Sequence, residues 1–261
     1  MCVPVWIHTC CYTDILVLAV YYSVRIPGLR ELWVNKGSKY IPCHTIASVL
    51  AEKYNLSVQL ATSALLCGHI MSGCDTVSYA FGKGKRKAFQ TVMLHASELT
   101  EMVQFGEDSL NVSPKVVTAC RAFFIKLYCD FSGDLNQLRA HLFGHNKVDI
   151  RKLPPTENAF QYHMYRGLYQ IATCKRSHRS TLHLPDATSF GRQILTGNLV
   201  PILMDKPPKP ATAKQKRYCQ CSKSKCLRNC SCAAADIDCV IACKCSGNKC
   251  TRFRDDGDED E

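Results

Sequence analysis

Nine of the chain's 18 cysteines fall within the 32 residues from Cys219 to Cys250. They stand as Cys219, Cys221, Cys226, then Cys230, Cys232, Cys239, then Cys243, Cys245, Cys250. One unit, C-x-C-x(4–6)-C, is used three times with three residues between units. A repeat at this scale predicts three similar corners around one centre. Nine is odd, so a closed disulfide framework leaves one thiol over. Three tetrahedral zinc ions need twelve ligand bonds, which six terminal and three bridging thiolates supply with no cysteine left. The segment offers few large apolar residues (Leu227, Ile237, Val240, Ile241), so metal binding is expected to supply most of its folding energy. A secreted disulfide knot is the alternative; no basic, apolar leader accompanies it.

Charge surrounds the cysteines. From Lys206 to Arg254 there are twelve basic residues, among them Lys216, Arg217, Lys223, Lys225 and Arg228, against Asp236 and Asp238. Even with three Zn²⁺ and nine thiolates counted, the segment stays near +7, which suits a binder of phosphate backbone. Solvation of a core-poor module is the plainer use of the same lysines. The acidic end, Asp255 to Glu261, is expected to be disordered and could compete for the basic face.

Residues 219–250 resemble the tesmin-type CXC domain, with "CQCSKSKCLRNCSC" and "CKCSGNKC" carrying the match. The resemblance implies a trinuclear zinc module that binds DNA in chromatin proteins. Asn229 stands where that family often has a tyrosine, and four residues, not two, separate the last cysteines.

The rest of the 261 residues must position these groups. The chain carries a net charge of +11 and is 46% hydrophobic, which excludes a wholly disordered chain. Its longest apolar run, Ile15 to Tyr22, is too short to span a bilayer. The run "DILVLAVYY" from Asp14 reads as a buried parallel strand, and "RELWV" (30–34) as a second. Thr45 is expected to cap a helix to Tyr54. A further helix over about 58–72 should end at Gly73. The Gly82-Lys83-Gly84-Lys85 loop, followed by Arg86 and Lys87, could seat a phosphate at the start of the next helix.

"YTDILVL", "SGCDT" and "FGKGKRKAF", in this order, resemble the second half of a PIN-like, flap-endonuclease-type domain. That resemblance implies metal-binding carboxylates at Asp14 and Asp75, Mg²⁺ as their possible cofactor, and a basic hairpin (Lys83, Lys85, Arg86, Lys87) on the nucleic-acid backbone. Tyr12 replaces the first acid of the family's pair, and two carboxylates are few for two Mg²⁺. The expected catalytic centre is therefore vestigial.

Ser113-Pro114 predicts a helix to about Cys129, "DLNQLRAHLFG" another, and "LPPTENAF" onward a long one whose Phe160, His163, Met164, Gly167, Leu168 and Ile171 read as core. His141 and His145 read as a helix face, lacking the acid a metalloprotease would place between them. "GNLVPILMDKPPKP" reads as extended. The run from "LNQLR" to "LVPILM" resembles a linking stretch in uncharacterised, mobile-element-derived animal proteins.

The expectation is an α/β N-terminal half at 1–105, a helical region and extended linker at 106–206, a zinc-cluster domain at 207–254 and an acidic tail at 255–261. The expected function is zinc and DNA binding, by phosphate contacts, in an intracellular (nuclear or cytoplasmic) protein of mobile-element origin. An active Mg²⁺-dependent structure-specific nuclease and a zinc-dependent protein scaffold are the alternatives.

Overall fold

The computed structural model describes residues 5–8, 13–107, 109–145, 150–207, 219–220, 230–235, 239 and 243–244. They are mainly helical, with two small sheets and a C-terminal cysteine cluster. Chain contacts define two compact units, Met1–Leu127 with Gln161–Leu203, and Tyr128–Phe160 with Met204–Glu261. The stretch expected as one helical region from 106 to 206 contributes to both.

In the first unit, β1 (Val5–His8) runs parallel to β2 (Leu32–Lys36), and β3 (Lys39–Pro42) returns antiparallel beside β2. The predicted second strand is thus present, displaced by two residues. The predicted strand at Asp14 is not: Thr13–Tyr22 is a helix, α1. An apolar run of this length fits a buried helix as well as a buried strand, because periodicity cannot separate them. Packing decides, and α1 buries Val17, Ala19, Val20 and Tyr21. Asp14 sits in its first turn, where the helix dipole favours a carboxylate.

Helix α2 (Cys43–Tyr54) starts two residues before the expected cap: Pro42, not Thr45, is its N-cap. Helix α3 (Val58–Met71) begins at Ser57, whose Oγ accepts from the Leu60 amide at 3.2 Å. It ends at Ser72, and Gly73 follows with φ +107°. α3 contacts α1, α2, α4 (Lys85–Leu94) and α5 (Thr100–Gln104). A helix surrounded on this many sides is buried all round. Small buried residues, Ala61, Thr62, Ser63, Ala64 and Gly68, stand on it beside the larger Leu66, Ile70 and Met71. A Cβ at Gly68 would stand 2.5 Å from Val92 Cγ1 on α4.

Pro114–Tyr128 forms α6, Leu135–His145 α7, and Glu157–Arg176 α8. Phe160, His163, Met164, Leu168 and Ile171 of α8 are buried. A hairpin follows, β4 (Arg192–Leu195) with β5 (Asn198–Pro201). A charged network crosses the core of the first unit. The Lys175 ammonium, with a fully buried side chain, donates to the Val103 carbonyl at 2.5 Å and to Glu107 at 3.1 Å. Glu107 also accepts from Ser63 at 2.9 Å. The Arg25 guanidinium donates to Thr62, Ser63 and two backbone carbonyls.

In the second unit, Asp134 and Gln137 form a reciprocal capping box for α7, each side chain accepting from the other's amide at 2.8 and 3.0 Å. Leu135 and Leu138 are buried beneath it. No helix among the described residues is long and apolar enough to cross a membrane.

Candidate metal centre

The cysteine cluster belongs to the second unit. Cys230 is the N-cap of α9 (Ser231–Ala234), a single turn. The turn is closed by hydrogen bonds from Ala234 to the Cys230 carbonyl at 2.9 Å and from Ala235 to the Cys232 carbonyl at 3.1 Å. This places the two cysteines of one C-x-C pair on the same side. Cys219, Cys230, Cys232 and Cys239 then converge, their sulfurs all within 4.8 Å of one another and all four residues buried. Cys243 joins from the third unit of the repeat, its sulfur 3.7 Å from that of Cys232. The Lys244 amide donates to the Cys219 carbonyl at 2.9 Å, so the third unit is tied to the first.

The donor set fits zinc. A tetrahedral ion with bonds of about 2.3 Å to sulfur separates its ligand sulfurs by about 3.8 Å. Cys219 and Cys239 stand 3.8 Å apart. A disulfide needs about 2.05 Å, and these cysteines are free thiols. Burial, and then the Cys243 sulfur beside it, push the Cys232 thiol up to about 12. Among the described residues, Ala233 is the partly buried hydrophobic residue packed against this core. A coordinated cation would displace the thiol protons and hold the sulfurs together. Cys221, Cys226, Cys245 and Cys250 lie outside the described residues, as do Lys216, Arg217, Lys223, Lys225 and Arg228.

The first unit gathers Asp14 and Asp75 around a group that sequence reasoning gave another role. Asp14 pairs with His69 Nε2. Asp75 is exposed, in the turn bounded by the Cys74–Val77 bridge. Both carboxylates act electrostatically on one ammonium, that of Lys85, as does Cys74. Lys85 Nζ donates to the Gly73 carbonyl and, at 2.5 Å, to the His69 carbonyl. It thereby caps the C-terminal end of α3. Burial lowers its pKa, against the pull of Cys74, Asp14 and Asp75. His69 is also held below its usual value, by burial and then by Lys85, against Asp14. Lys83 lines the adjoining cleft, while Arg86 and Lys87 are exposed on the first turn of α4.

Two buried side chains anchor this turn from α8, and neither was legible as a functional residue. His163 Nε2 donates to the Met71 carbonyl at 3.0 Å, which leaves Nδ1 to accept from Ser78 Oγ at 2.9 Å. Arg166 donates to Ser78 at 3.2 Å and to the Gly191 and Ile202 carbonyls. In sequence, His163 showed only a helical apolar stripe, and Ser78 had no signal at all.

Comparison with known proteins finds relatives over part of the chain. The chain is 38% identical over 61 residues to Protein tesmin/TSO1-like CXC 3 of Arabidopsis thaliana, covering 23% of this chain and 10% of that protein. It is 43% identical over 54 residues to Protein tesmin/TSO1-like CXC 2 of the same plant, covering 20% of this chain and 8% of that one. The chain thus spans about a tenth or less of the length of these curated relatives. No family model and no solved structure matches. Likeness to two CXC proteins and a cluster of four buried cysteines together support a CXC-type, zinc-compatible domain in this chain.

Proposed function

We propose that residues 219–250 fold around three zinc ions and that this module binds DNA through its phosphates. The buried group of Cys219, Cys230, Cys232 and Cys239 carries the reading. It takes all three cysteines of the second repeat unit and the first cysteine of the first unit. The same choice, applied cyclically through the repeat, gives every ion four sulfurs and uses all nine cysteines. Cys219, Cys230 and Cys243 are then the shared ligands, and Cys221, Cys226, Cys232, Cys239, Cys245 and Cys250 the terminal ones. Zinc, when bound, supplies the positive charge that holds the thiolates together and the free energy that folds the segment. The chain's own Lys216, Arg217, Lys223, Lys225 and Arg228 supply the phosphate contacts, a sequence-independent attraction that weakens steeply with salt.

The first unit is read as a degenerate nuclease-like domain of mobile-element origin. Support comes from Lys85, whose ammonium already serves Asp14 and Asp75 as a common counter-charge. The place of action is intracellular, where reduced thiols favour zinc over disulfides.

Elemental analysis of the purified chain should find three zinc ions per molecule, and chelation should abolish DNA retention. Nine cysteines recovered as disulfides and mixed thiols without metal would sink the proposal. Mg²⁺- or Mn²⁺-dependent cleavage of flap or single-stranded DNA, lost in Asp75→Ala, would favour the enzyme instead. Metal-dependent capture of proteins with no retention of DNA would favour the scaffold.

A further inference from the structure

Two guanidinium groups meet in the first unit, where α8, the Cys74–Val77 turn and the β4–β5 hairpin come together. Arg166 of α8 is 1% exposed. Its Nη1 donates to the Gly191 and Ile202 carbonyls and its Nη2 to Ser78 Oγ. Gly191 directly precedes Arg192, so the first guanidinium holds the backbone that carries the second. The Arg192 guanidinium lies over the ring of Tyr169, its Cζ 5.3 Å from the centroid. Tyr169 stands three residues after Arg166, on the same side of α8. Arg192 Nη2 reaches the Thr76 carbonyl at 3.4 Å, while Nη1 is buried with no hydrogen-bond acceptor among the described residues. The two cations feel each other: burial, and then Arg192, lower the Arg166 pKa.

What this junction lacks is an anion. Buried cations are ordinarily paired, as Arg25 and Lys175 are with Glu107 elsewhere in the same unit. Among the described residues, no carboxylate pairs with Arg166 or Arg192. Asp75, beside Thr76, acts on Lys85, and Asp186 accepts from the Thr188 amide and hydroxyl at 2.8 Å. Carbonyls and one hydroxyl offer dipoles but no negative charge. An unmet N–H and two uncompensated charges each destabilise the junction. A doubly charged oxyanion answers both defects, and the planar fork of arginine matches its oxygens two at a time.

We propose that this junction binds a phosphate dianion between Arg166 and Arg192, with Arg192 Nη1 as its chief donor. Charge selects the ligand: a dianion neutralises both guanidiniums, whereas a carboxylate or a phosphodiester neutralises one. The site is therefore not a nucleic-acid contact, and it stands independently of the zinc module. Arg192 is half-buried and Thr76 and Ser78 are exposed, so the junction borders solvent.

The test uses the full zinc-loaded chain in thermal melts at pH 8, where a phosphate monoester is a dianion. Chloride is replaced by the probe at constant ionic strength. Both tryptophans, Trp6 and Trp33, belong to the first unit, so their fluorescence follows its unfolding. At ten times its Kd, inorganic phosphate should raise the melting temperature by about 4 °C. Acetate and dimethyl phosphate should raise it by less than about 1 °C. A larger shift with phenyl phosphate at equal concentration would identify a phosphomonoester as the ligand, and a smaller one the free ion. Arg192→Gln should abolish the shift yet melt within about 1 °C of the parent in chloride, because it also removes a repulsion. Arg192→Lys keeps the charge but loses the fork, and should weaken phosphate binding about tenfold. It decides alone if Arg192→Gln does not fold. A phosphate shift no larger than that of acetate, a full shift retained in Arg192→Gln, or parent affinity in Arg192→Lys would overturn the proposal.

Discussion

Cys219 and Cys239 are 20 positions apart in the chain, yet their sulfurs stand 3.8 Å apart. That separation matches the edge a zinc–thiolate tetrahedron would have and is nearly twice the length of a disulfide bond. Cys219 opens the repeat and Cys239 closes its second unit. Their meeting brings the first cysteine of the first unit against the last cysteine of the second.

The two cysteines should respond differently to replacement. If Cys219 is shared between two ions and Cys239 serves one, Cys219→Ser should lower the zinc content by about two ions per chain and Cys239→Ser by about one. Elemental analysis of both purified variants measures this. Equal losses would remove the assignment of shared ligands.

Acid should weaken the first unit through His163. Burial lowers its pKa to about 4 from an ordinary 6.5. Between those values the unfolded chain binds a proton that the folded chain refuses. The contribution is therefore complete above about pH 6.5 and is lost as pH falls through 4, on the order of 3 kcal/mol in all. Urea unfolding at pH 7 and pH 5 should show a stability gap that shrinks in His163→Gln.

Glu107 compensates the buried ammonium of Lys175 and lies 3.8 Å from the Arg25 guanidinium. Glu107→Ala leaves Lys175 with a backbone carbonyl and no counter-charge. A loss of about 3 kcal/mol is expected, since breaking a buried pair strands its partner. Glu107 is partly exposed, which places the cost at the lower end of that range. Denaturant titration of Glu107→Ala beside Lys175→Met checks it, the methionine being the milder change.

Two glycines that face α8 or belong to it should differ sharply. Gly106 has φ +86°, and a Cβ there would stand 2.8 Å from Ala172 Cα. Gly106→Ala should cost about 3 kcal/mol, because both its own backbone and its neighbour's must shift. At Gly167 the added carbon would meet Met71 Sδ at 2.5 Å. A flexible methionine can swing aside, and alanine favours the helix. Gly167→Ala should stay within about 1 kcal/mol of the parent in thermal melts.

Helices with both an apolar stripe and a terminal signal were legible in sequence. Ser113-Pro114 opens α6, and Gly73 follows α3 as its left-handed terminator. The Asp134–Gln137 box caps α7, for which the sequence had indicated a helix but not its cap. The run from Asp14 reads as a strand and folds as a helix, because eight apolar residues carry no period that separates the two states. Its helical state follows from burial against α3, a neighbour some fifty positions away.

Residue types and spacing alone established the threefold cysteine repeat and the odd thiol count. They also excluded a spanning helix and located the basic segments. Such properties need no folded chain, since valence and charge are counted along the sequence. Only tertiary structure decided that Cys219 joins the second unit's sulfurs, that Lys85 turns inward to the end of α3, and that Ser78 rests on His163 and Arg166. Those partners lie far apart in the chain, and packing, not local preference, selects which of many possible pairings forms.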